Sequence, residues 1–356
     1  MTPKFHKLTV KTVSKLIKDA VSIEFNVPKE LEESFQYLSG QYLTLKTHIK
    51  NEEVRRSYSL CSAPYERKWM VAVKQVENGI FSTYAVKHLK SGDEIEVMNP
   101  MGNFQYASTP GQKKSIVLFA AGSGITPMMA ILKTVLTDEK ESDVTLFYGN
   151  KGFYSVIFRE ELEALKNAFI GRFRIIHLFS QESLGSSIQK GRIDKEKTDA
   201  LYKAFLKNQK IDAVYLCGPE QMILGVKESL VAFGVKSEKI HFELFHAGLK
   251  TEKKMAPVKS INAFDSQIEV IIDGDNIAFP LASDGLAILD AAQAAGADLP
   301  YACKGGVCCT CKARLLEGTV SMDVNYALEK DEVAAGYILC CQAHPTSKKV
   351  VVTFDE

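Results

Sequence analysis

Six of the chain's eight cysteines lie between Cys303 and Cys341, and their spacing is the strongest constraint in the sequence. Cys303, Cys308 and Cys311 form the pattern C-x4-C-x2-C, and the pair Cys340-Cys341 follows about 30 residues later. This spacing is typical of the four thiolates that hold a 2Fe–2S cluster. Structural zinc sites usually pair C-x2-C hairpins, and Cys340-Cys341 is not such a hairpin. The region is therefore predicted to bind a 2Fe–2S cluster, with structural zinc or inert core thiols as the alternatives.

Two features of the cysteine region bear on the choice of ligands. Gly305 and Gly306 can take positive φ and turn backbone N–H groups toward the cluster sulfides. Replacing the middle cysteine of the pattern by Cys309 would change both spacings, so Cys309 is predicted not to bind iron. Spacing does not separate Cys340 from Cys341. Successive strand residues point to opposite faces, so only one of the two is expected to reach the iron.

Length and composition predict a multidomain protein of a reducing compartment, the cytoplasm. The chain has 356 residues, which predicts two or three domains at about 150 residues each. Eight cysteines are too few for a disulfide scaffold, and their clustering favours a metal centre. The chain has 44 Lys+Arg and 43 Asp+Glu, so no net charge attracts nucleic acid or anionic membranes. No apolar run approaches the ~20 residues of a membrane span, and the first ten residues contain no apolar signal core.

Charge divides the chain into unlike parts. Residues 265–356 hold 14 Asp+Glu and 6 Lys+Arg, a formal charge of −8, and the remainder holds 29 acidic and 38 basic residues, or +9. The border is a polar, Lys-rich stretch that reads as a linker. The predicted domains are 1–109, 110–248 and 265–356, with the linker at 249–264. Opposite charges predict that the last domain docks on the others in a salt-dependent way.

Hydrophobic patterns predict a different fold class for each domain. Short alternating runs between turn signals in the first domain are typical of an antiparallel β-barrel. Alternating strands and helices in the second predict an α/β fold with a parallel sheet. The third combines strands with one helix, an α+β pattern. The predicted strands are 7–13, 20–27, 42–47, 56–61, 70–76 and 93–98, then 115–120, 144–148, 174–179, 213–217 and 239–245, then 267–273, 276–281, 313–317 and 350–354. The predicted helices are 81–89, 127–136, 159–167, 195–206, 219–232 and 288–295.

A glycine-rich loop joins the first strand and first helix of the α/β domain. Its sequence is Gly122-Ser123-Gly124-Ile-Thr126-Pro127, and free N–H groups at a helix start favour phosphate. Thr126 is predicted as the N-cap and Pro127 as the first helical residue. The loop lacks the third glycine of the Rossmann fingerprint, and no acidic residue follows the second strand, where Lys151 stands. The prediction is a dinucleotide site, with a plain tight turn as the alternative.

A second motif lies on a predicted barrel strand. Alternation places Arg56, Tyr58 and Leu60 on one face and Ser57 and Ser59 on the other. An Arg beside a Tyr and a Ser could bind phosphate, stack a ring and hydrogen-bond a ring edge. A solvated strand face is the alternative, and the position before a nucleotide domain favours the functional interpretation.

These motifs carry a family resemblance. Arg56-x-Tyr58-Ser59, the loop 122–127, Cys217-Gly218-Pro219 and Glu243-x-Phe245 occur in the order seen in ferredoxin–NADP reductase-like flavoproteins. The cysteine region resembles a plant-type, β-grasp ferredoxin. Over nearly its whole length the chain is similar to the reductase subunits of bacterial phenylacetyl-CoA epoxidases, in stretches such as 179–182, 191–194 and 297–308.

The resemblance implies the residues that hold each cofactor. In that family the ligand cysteine immediately precedes Gln-Ala, which selects Cys341. The implied iron ligands are Cys303, Cys308, Cys311 and Cys341. The implied FAD contacts are Arg56, Tyr58, Ser59, Leu60, Val73, Lys74, Gly79, Phe81, Ser82 and Thr83. The implied nicotinamide-coenzyme contacts are Gly122, Ser123, Gly124, Thr126, Pro127, Lys151, Ser180, Arg192, Gly218, Pro219 and Phe245. Ser59, Cys217 and Glu243 are implied to lie at the reacting rings. For single residues, Cys217 as a core thiol and Glu243 as an ion-pair partner remain alternatives.

The resemblance also implies an activity. The expected protein is an NADPH-dependent reductase, with NADH possible, that passes electrons through FAD and a 2Fe–2S cluster to the di-iron oxygenase subunits of a phenylacetyl-CoA epoxidase in phenylacetate degradation. One alternative is the reductase of another ring-hydroxylating or steroid-hydroxylating oxygenase. The other is a non-catalytic redox sensor, which predicts no turnover with NAD(P)H and an artificial acceptor.

Overall fold

The computed structural model describes residues 4–245 and 263–355. They form three packed modules in chain order: a strand-rich barrel, an α/β module and a smaller α+β module that carries the cysteine cluster. Of the predicted linker 249–264, all but the last two residues lies outside the described residues. In the described ranges no helix is long and apolar enough to cross a membrane.

The barrel module is a curled antiparallel sheet of six strands. They are β1 Phe5–Ile17, β2 Ala20–Asn26, β3 Tyr42–Ile49, β4 Glu52–Ser59, β5 Trp69–Lys74 and β6 Glu94–Met98. Their order is β4-β3-β6-β1-β2-β5, and a bridge between Leu60 and Val71 closes the sheet on itself. Inward-facing residues such as Leu8 and Phe25 form the core, and helix α1, Ile80–Lys87, packs Phe81 against it.

The α/β module is built on a five-stranded parallel sheet. Its strands are β7 Ser115–Ala121, β8 Asp143–Asn150, β9 Phe173–Phe179, β10 Ala213–Cys217 and β11 Ile240–Glu243. Its helices are α2 Ile125–Asp138, α3 Arg159–Ala168, α4 Lys195–Leu201 and α5 Glu220–Ala232. The order β11-β10-β7-β8-β9 reverses direction between β7 and β10. Ligands of open α/β sheets bind at the carboxyl ends of the strands at such a switch point, which here is the glycine-rich loop and Cys217.

The cysteine module packs a short helix over a mixed sheet. The sheet order is β13-β12-β18-β14-β16, and β15 and β17 form a separate pair. The strands are β12 Asp265–Ile272, β13 Asp275–Ala282, β14 Lys312–Glu317, β15 Val320–Met322, β16 Tyr337–Leu339, β17 Ala343–Pro345 and β18 Lys349–Thr353. Helix α6, Ile288–Ala294, buries Ile288 and Leu289 against this sheet, and α7, Lys330–Ala334, lies at its edge. The cysteine loop connects α6 to β14.

The structure corrects several local predictions. Helix α2 begins at Ile125, because a 3-10 turn over Gly122–Gly124 leads directly into it, so Thr126 is not the N-cap. Gly124 takes the cap position, and the Thr126 hydroxyl donates to the Ser123 carbonyl at 3.1 Å. The helix predicted at 195–206 changes to a π-helical turn after Leu201. The strands β15, β16 and β17 were not predicted, because three-residue strands carry too little alternation to detect.

Buried polar contacts hold the barrel against α2. The Lys133 ammonium is 4% exposed and lies 2.7 Å from Glu66 of the barrel and 3.2 Å from Glu161 of α3. The Ser39 and Thr134 hydroxyls are 2.6 Å apart across the same boundary. Because a buried ammonium without partners is costly, this arrangement favours one fixed relation between the first two modules.

Candidate electron-transfer site

Strand β4 presents the barrel motif on two faces, as the alternation predicts. Tyr58 packs on Phe81 with ring centroids 5.4 Å apart, and Leu60 lies in the barrel core. Burial raises the pKa of the Tyr58 phenol, so it stays neutral. Arg56 is exposed beside this aromatic pair, and Ser59 lies on the opposite face. The half-buried Tyr58 ring beside a guanidinium suits a ring system joined to a phosphate.

The turn before α1 is compact enough to present backbone groups. A Cβ at Gly79 would crowd the Val76 and Ser82 side chains, so either side chain would have to shift to admit a larger residue. The Ser82 hydroxyl accepts from the Val76 N–H at 3.2 Å, and the Thr83 hydroxyl accepts from the Gln75 amide at 3.3 Å. The Val73 side chain is fully buried in the barrel core. Val73 could therefore meet a cofactor only through its backbone.

The glycine-rich loop makes one close approach and one sharp turn. A Cβ at Gly124 would lie 2.1 Å from the Cys217 carbonyl oxygen, so the loop abuts the end of β10. Gly122 has φ +54° with open space beside it, and the Tyr148 hydroxyl donates to its carbonyl at 3.0 Å. A left-handed residue facing open space, followed by a helix start, is a cradle for phosphate.

Three predicted residues from two modules meet at one point. Strand pairing sets Cys217 opposite Glu243, and the Ser59 hydroxyl of the barrel donates to Glu243 Oε2 at 2.8 Å. Burial raises the pKa of Glu243 to about 8, although the hydrogen bond from Ser59 opposes this. Burial, and then the nearby Glu243, also raise the pKa of the fully buried Cys217 thiol. At neutral pH the Glu243 carboxyl is therefore protonated and the Cys217 thiol is neutral.

The other predicted coenzyme residues lie either near the meeting point of Ser59, Cys217 and Glu243 or near the ends of β8 and β9, at one edge of the parallel sheet. Gly218 is crowded by Met222 and Ala121, and Phe245 packs against the core shared with the barrel. Lys151 follows β8 and lines a cleft of about 1050 Å³ between the α/β module and the barrel. Ser180 follows β9, and its N–H donates to Asn150 at 3.0 Å. Arg192 lies nearby, after a bridge that pairs Phe179 with Lys190.

The four predicted iron ligands form two pairs. The Cys308 thiol lies 3.1 Å from the Cys303 sulfur. Hydrogen bonds from Cys308 and from backbone N–H groups lower the pKa of the Cys303 thiol. A hydrogen bond with Cys311 likewise lowers the pKa of Cys341. No three possible ligands among the described residues converge on a single ion. Two pairs with one readily ionised thiol each fit a 2Fe–2S cluster, which takes four thiolates over two irons.

The cysteine loop differs from the prediction at Gly305, and it places Cys309 and Cys340, which are not among the implied ligands, apart from the two pairs. Positive φ occurs at Lys304 (50°) and Gly306 (70°), whereas Gly305 does not have it. Cys340 is fully buried in the hydrophobic core of the cysteine module. Cys309 instead faces the barrel, where the Tyr42 hydroxyl lies 3.8 Å from its sulfur. Neither Cys309 nor Cys340 belongs to the two pairs formed by the implied ligands.

Sequence reasoning missed the residues that join the cysteine loop to the barrel. These residues are Tyr42, Thr44, Arg55, Asp298, Tyr301 and Thr310. Two signals were available: the opposite charges of the modules, which indicate docking without a location, and the alternation of β4, which turns Arg55 away from Arg56. Neither could say that another module covers that face.

Comparison with known proteins assigns each module to a family. The model for the oxidoreductase FAD-binding domain matches residues 7–106, that for the oxidoreductase NAD-binding domain matches 118–228, and that for the 2Fe-2S iron-sulfur cluster binding domain matches 270–346. The barrel therefore binds FAD, the α/β module binds the nicotinamide coenzyme and the third module binds the cluster, as predicted.

Two relatives match along almost the entire chain. One of the subunits of 1,2-phenylacetyl-CoA epoxidase from Escherichia coli (strain K12) is 44% identical over 352 residues, which cover 99% of this chain and 98% of that protein. The ferredoxin reductase component of 3-ketosteroid-9-alpha-monooxygenase from Rhodococcus rhodochrous is 33% identical, with 98% and 96% covered. Among solved structures, phthalate dioxygenase reductase has the same fold, with a TM-score of 0.60, 23% identity and 98% of both chains covered.

Proposed function

The chain belongs to the family of oxygenase reductase components that combine FAD, nicotinamide and 2Fe–2S domains, and we propose that it is the reductase of a phenylacetyl-CoA epoxidase. It is an oxidoreductase that passes electrons from NAD(P)H through FAD to a 2Fe–2S cluster. In this proposal the electrons go on to the di-iron oxygenase subunits of the epoxidase, in the cytoplasm. The main support is the 44% identity to one protein of the Escherichia coli epoxidase along 99% of the chain.

The geometry of the site supports a separate proposed role for each of several residues. Bound FAD exchanges the two electrons of a hydride for single electrons, which a 2Fe–2S cluster takes one at a time. Gly122 and the start of α2 bind the coenzyme phosphates, and Gly124 lets the loop approach Cys217. Glu243 holds a proton at the boundary between the two modules, where the Ser59 hydroxyl of the barrel donates a hydrogen bond that orients its carboxyl. Tyr58, supported from the barrel core by the buried Phe81, would orient the flavin ring.

NADPH is the proposed coenzyme. The end of β8 carries Asn150 and Lys151 where an acidic residue would otherwise accept the ribose 2′-hydroxyl. Four lysines, including Lys151, and two acidic residues, Asp19 and Glu182, line this cleft, and the excess of positive charge favours a 2′-phosphate. Ser180 and Arg192 lie at the same edge of the sheet.

The coenzyme proposal has a direct test. Lys151→Ala is expected to raise KM for NADPH about tenfold, which is the loss of one charge-assisted hydrogen bond, and to change KM for NADH less than about twofold. Lys166→Ala, an exposed lysine paired with Glu163 on α3, is the matched control and should change neither value. A higher kcat/KM with NADH than with NADPH in the unaltered protein would contradict the proposal.

The acceptor is tested by reconstitution. Purified protein with NADPH should support product formation by phenylacetyl-CoA epoxidase subunits and much less by a steroid 9α-hydroxylating oxygenase. The steroid system is the second candidate because its reductase is 33% identical over nearly the full length. If the protein supported the steroid oxygenase better, the steroid oxygenase would become the proposed acceptor in place of the epoxidase. Absence of ferricyanide reduction by NADPH would instead favour the redox-sensor alternative.

A further inference from the structure

The outer face of β3 and β4 is covered by the cysteine loop. The Tyr42 and Thr44 hydroxyls lie 3.1 Å and 3.4 Å from the Thr310 hydroxyl. The Tyr42 ring packs with Ala302 and Cys308 in a small buried cluster. The side chains of β3 therefore contact the side chains of the cysteine loop directly.

Arg55 lies at the other end of this contact and is 4% exposed. Its guanidinium donates to Asp298 Oδ1 at 3.1 Å and to the Leu299 carbonyl at 3.2 Å. It also stacks on the Tyr301 ring, 4.2 Å from the centroid, while its Nε donates to Glu53 at 2.7 Å. One barrel side chain thus contacts three of the loop residues that lead to the first cluster ligand.

We propose that Arg55 is a positioning residue that docks the cluster-binding loop on the FAD barrel and thereby sets the rate of electron transfer from flavin to cluster. A planar guanidinium that stacks and forms several hydrogen bonds fixes orientation as well as distance. Strand pairing also sets Tyr42 opposite Ser59. Holding the loop at Arg55 and Tyr42 therefore holds the cluster at a set distance from the residue that contacts Glu243.

The electron balance defines the step that Arg55 affects. One hydride from NADPH would deliver two electrons to bound FAD, and these would pass to the cluster one at a time, the second after the oxygenase acceptor has reoxidised the cluster. Arg55 makes no contact with Ser59, Cys217 or Glu243, so the hydride step should not depend on it. The transfers to the cluster depend on docking, and docking depends on Arg55.

This local docking is distinct from attraction between the oppositely charged modules. Long-range attraction is screened as the Debye length falls from about 10 Å at 0.1 M salt to about 3 Å at 1 M. The Arg55 guanidinium is buried, and its contacts with the Leu299 carbonyl and the Tyr301 ring are with uncharged groups, so salt should affect them little. Loss of the side chain should affect docking much more than salt does.

The experiment compares Arg55→Met and Arg55→Lys with the unaltered full-length holoprotein. Arg55→Met keeps the apolar stem, and Arg55→Lys keeps the charge but loses the planar fork. Lys46→Met is the matched control, because Lys46 pairs with Arg55 across the strands and forms its ion pair with Glu96 of the barrel. Stopped-flow absorbance follows flavin reduction and cluster reduction separately, and hydrogen–deuterium exchange follows residues 298–302.

In Arg55→Met, cluster reduction should slow about tenfold, since losing a charge-assisted hydrogen bond across the contact weakens docking by roughly that factor. Flavin reduction should stay within about twofold, iron–sulfur absorbance should be kept, and exchange at residues 298–302 should rise. Arg55→Lys should be intermediate, and Lys46→Met unchanged. Cluster reduction within about twofold of the unaltered protein in Arg55→Met would overturn the proposal.

A second variant keeps the test valid if Arg55→Met does not fold. Asp298→Ala removes a mostly exposed carboxylate, so folding should survive, and it should slow cluster reduction in the same direction by a smaller factor. If Asp298→Ala leaves both cluster reduction and exchange at residues 298–302 unchanged, Arg55 does not act through this contact.

Discussion

Gly124→Ala is expected to slow flavin reduction by NADPH about 100-fold. The new Cβ would lie 2.1 Å from the Cys217 carbonyl oxygen and 2.5 Å from the carbonyl carbon, where ordinary contact begins at 3.4 Å. The loop must therefore move by more than 1 Å from the end of β10, and the coenzyme that it holds moves away from Glu243. A misplacement of about 1 Å can cost a reaction roughly 100-fold.

The assay is stopped-flow reduction of the bound flavin at saturating NADPH, with FAD content and melting temperature measured on the same sample. Gly111→Ala is the control, because that glycine has φ +82° but open space around its Cβ. It should lower stability by about 1 kcal/mol through backbone strain and leave the rate within about twofold. A Gly124→Ala rate within about threefold of the unaltered protein would refute the argument that this close approach positions the coenzyme.

Three further predictions concern the cofactors and the proton. Purified protein should contain about one FAD, two irons and two sulfides per chain; zinc in place of iron would exclude the cluster. Cys308→Ala and Cys341→Ser should lose the visible iron–sulfur absorbance, and Cys309→Ala and Cys340→Ser should keep it. If the Cys309 variant lost the absorbance and the Cys308 variant kept it, Cys309 would be the ligand, and the same holds for Cys340 against Cys341. Burial raises the pKa of Glu243 to about 8, so this proton is present below that pH and is lost as the pH rises through it. Flavin reduction should therefore fall above about pH 8, and Glu243→Gln, which cannot titrate, should be slower at neutral pH and show no such fall.

The parts of the site that follow strand ends were predictable from the sequence. Parallel strands place their carboxyl ends at one edge, and the predicted strands 115–120 and 213–217 end at the Gly122 loop and at Cys217. The family resemblance in turn implied that Cys217 lies at the reacting rings. The meeting of Ser59 with Glu243 was implied only by family resemblance, because the two residues are 184 positions apart. Local details were less secure. Thr126 looked like an N-cap, yet the 3-10 turn before it changes where the helix begins.

The contact surface of the cysteine loop could not be predicted. Arg55 and its partners Asp298 and Leu299 are more than 240 positions apart. Alternation along β4 indicates that Arg55 faces outward, but it does not distinguish a face covered by protein from one covered by water. The charge difference between the modules indicates attraction without specifying where they touch.

The register of β3 and β4 limits how freely such a protein can exchange its parts. Tyr42 contacts the cysteine loop, and Ser59, its partner across the strands, contacts Glu243. A chimera cut at the border between the α/β and cysteine modules would therefore join a foreign iron–sulfur module to a barrel face shaped for another one. Transplanting β3 and β4 together with the module would restore the contact but would also replace Ser59. In this fold, docking of the iron–sulfur module and the hydrogen bond to Glu243 are inherited on the same pair of strands.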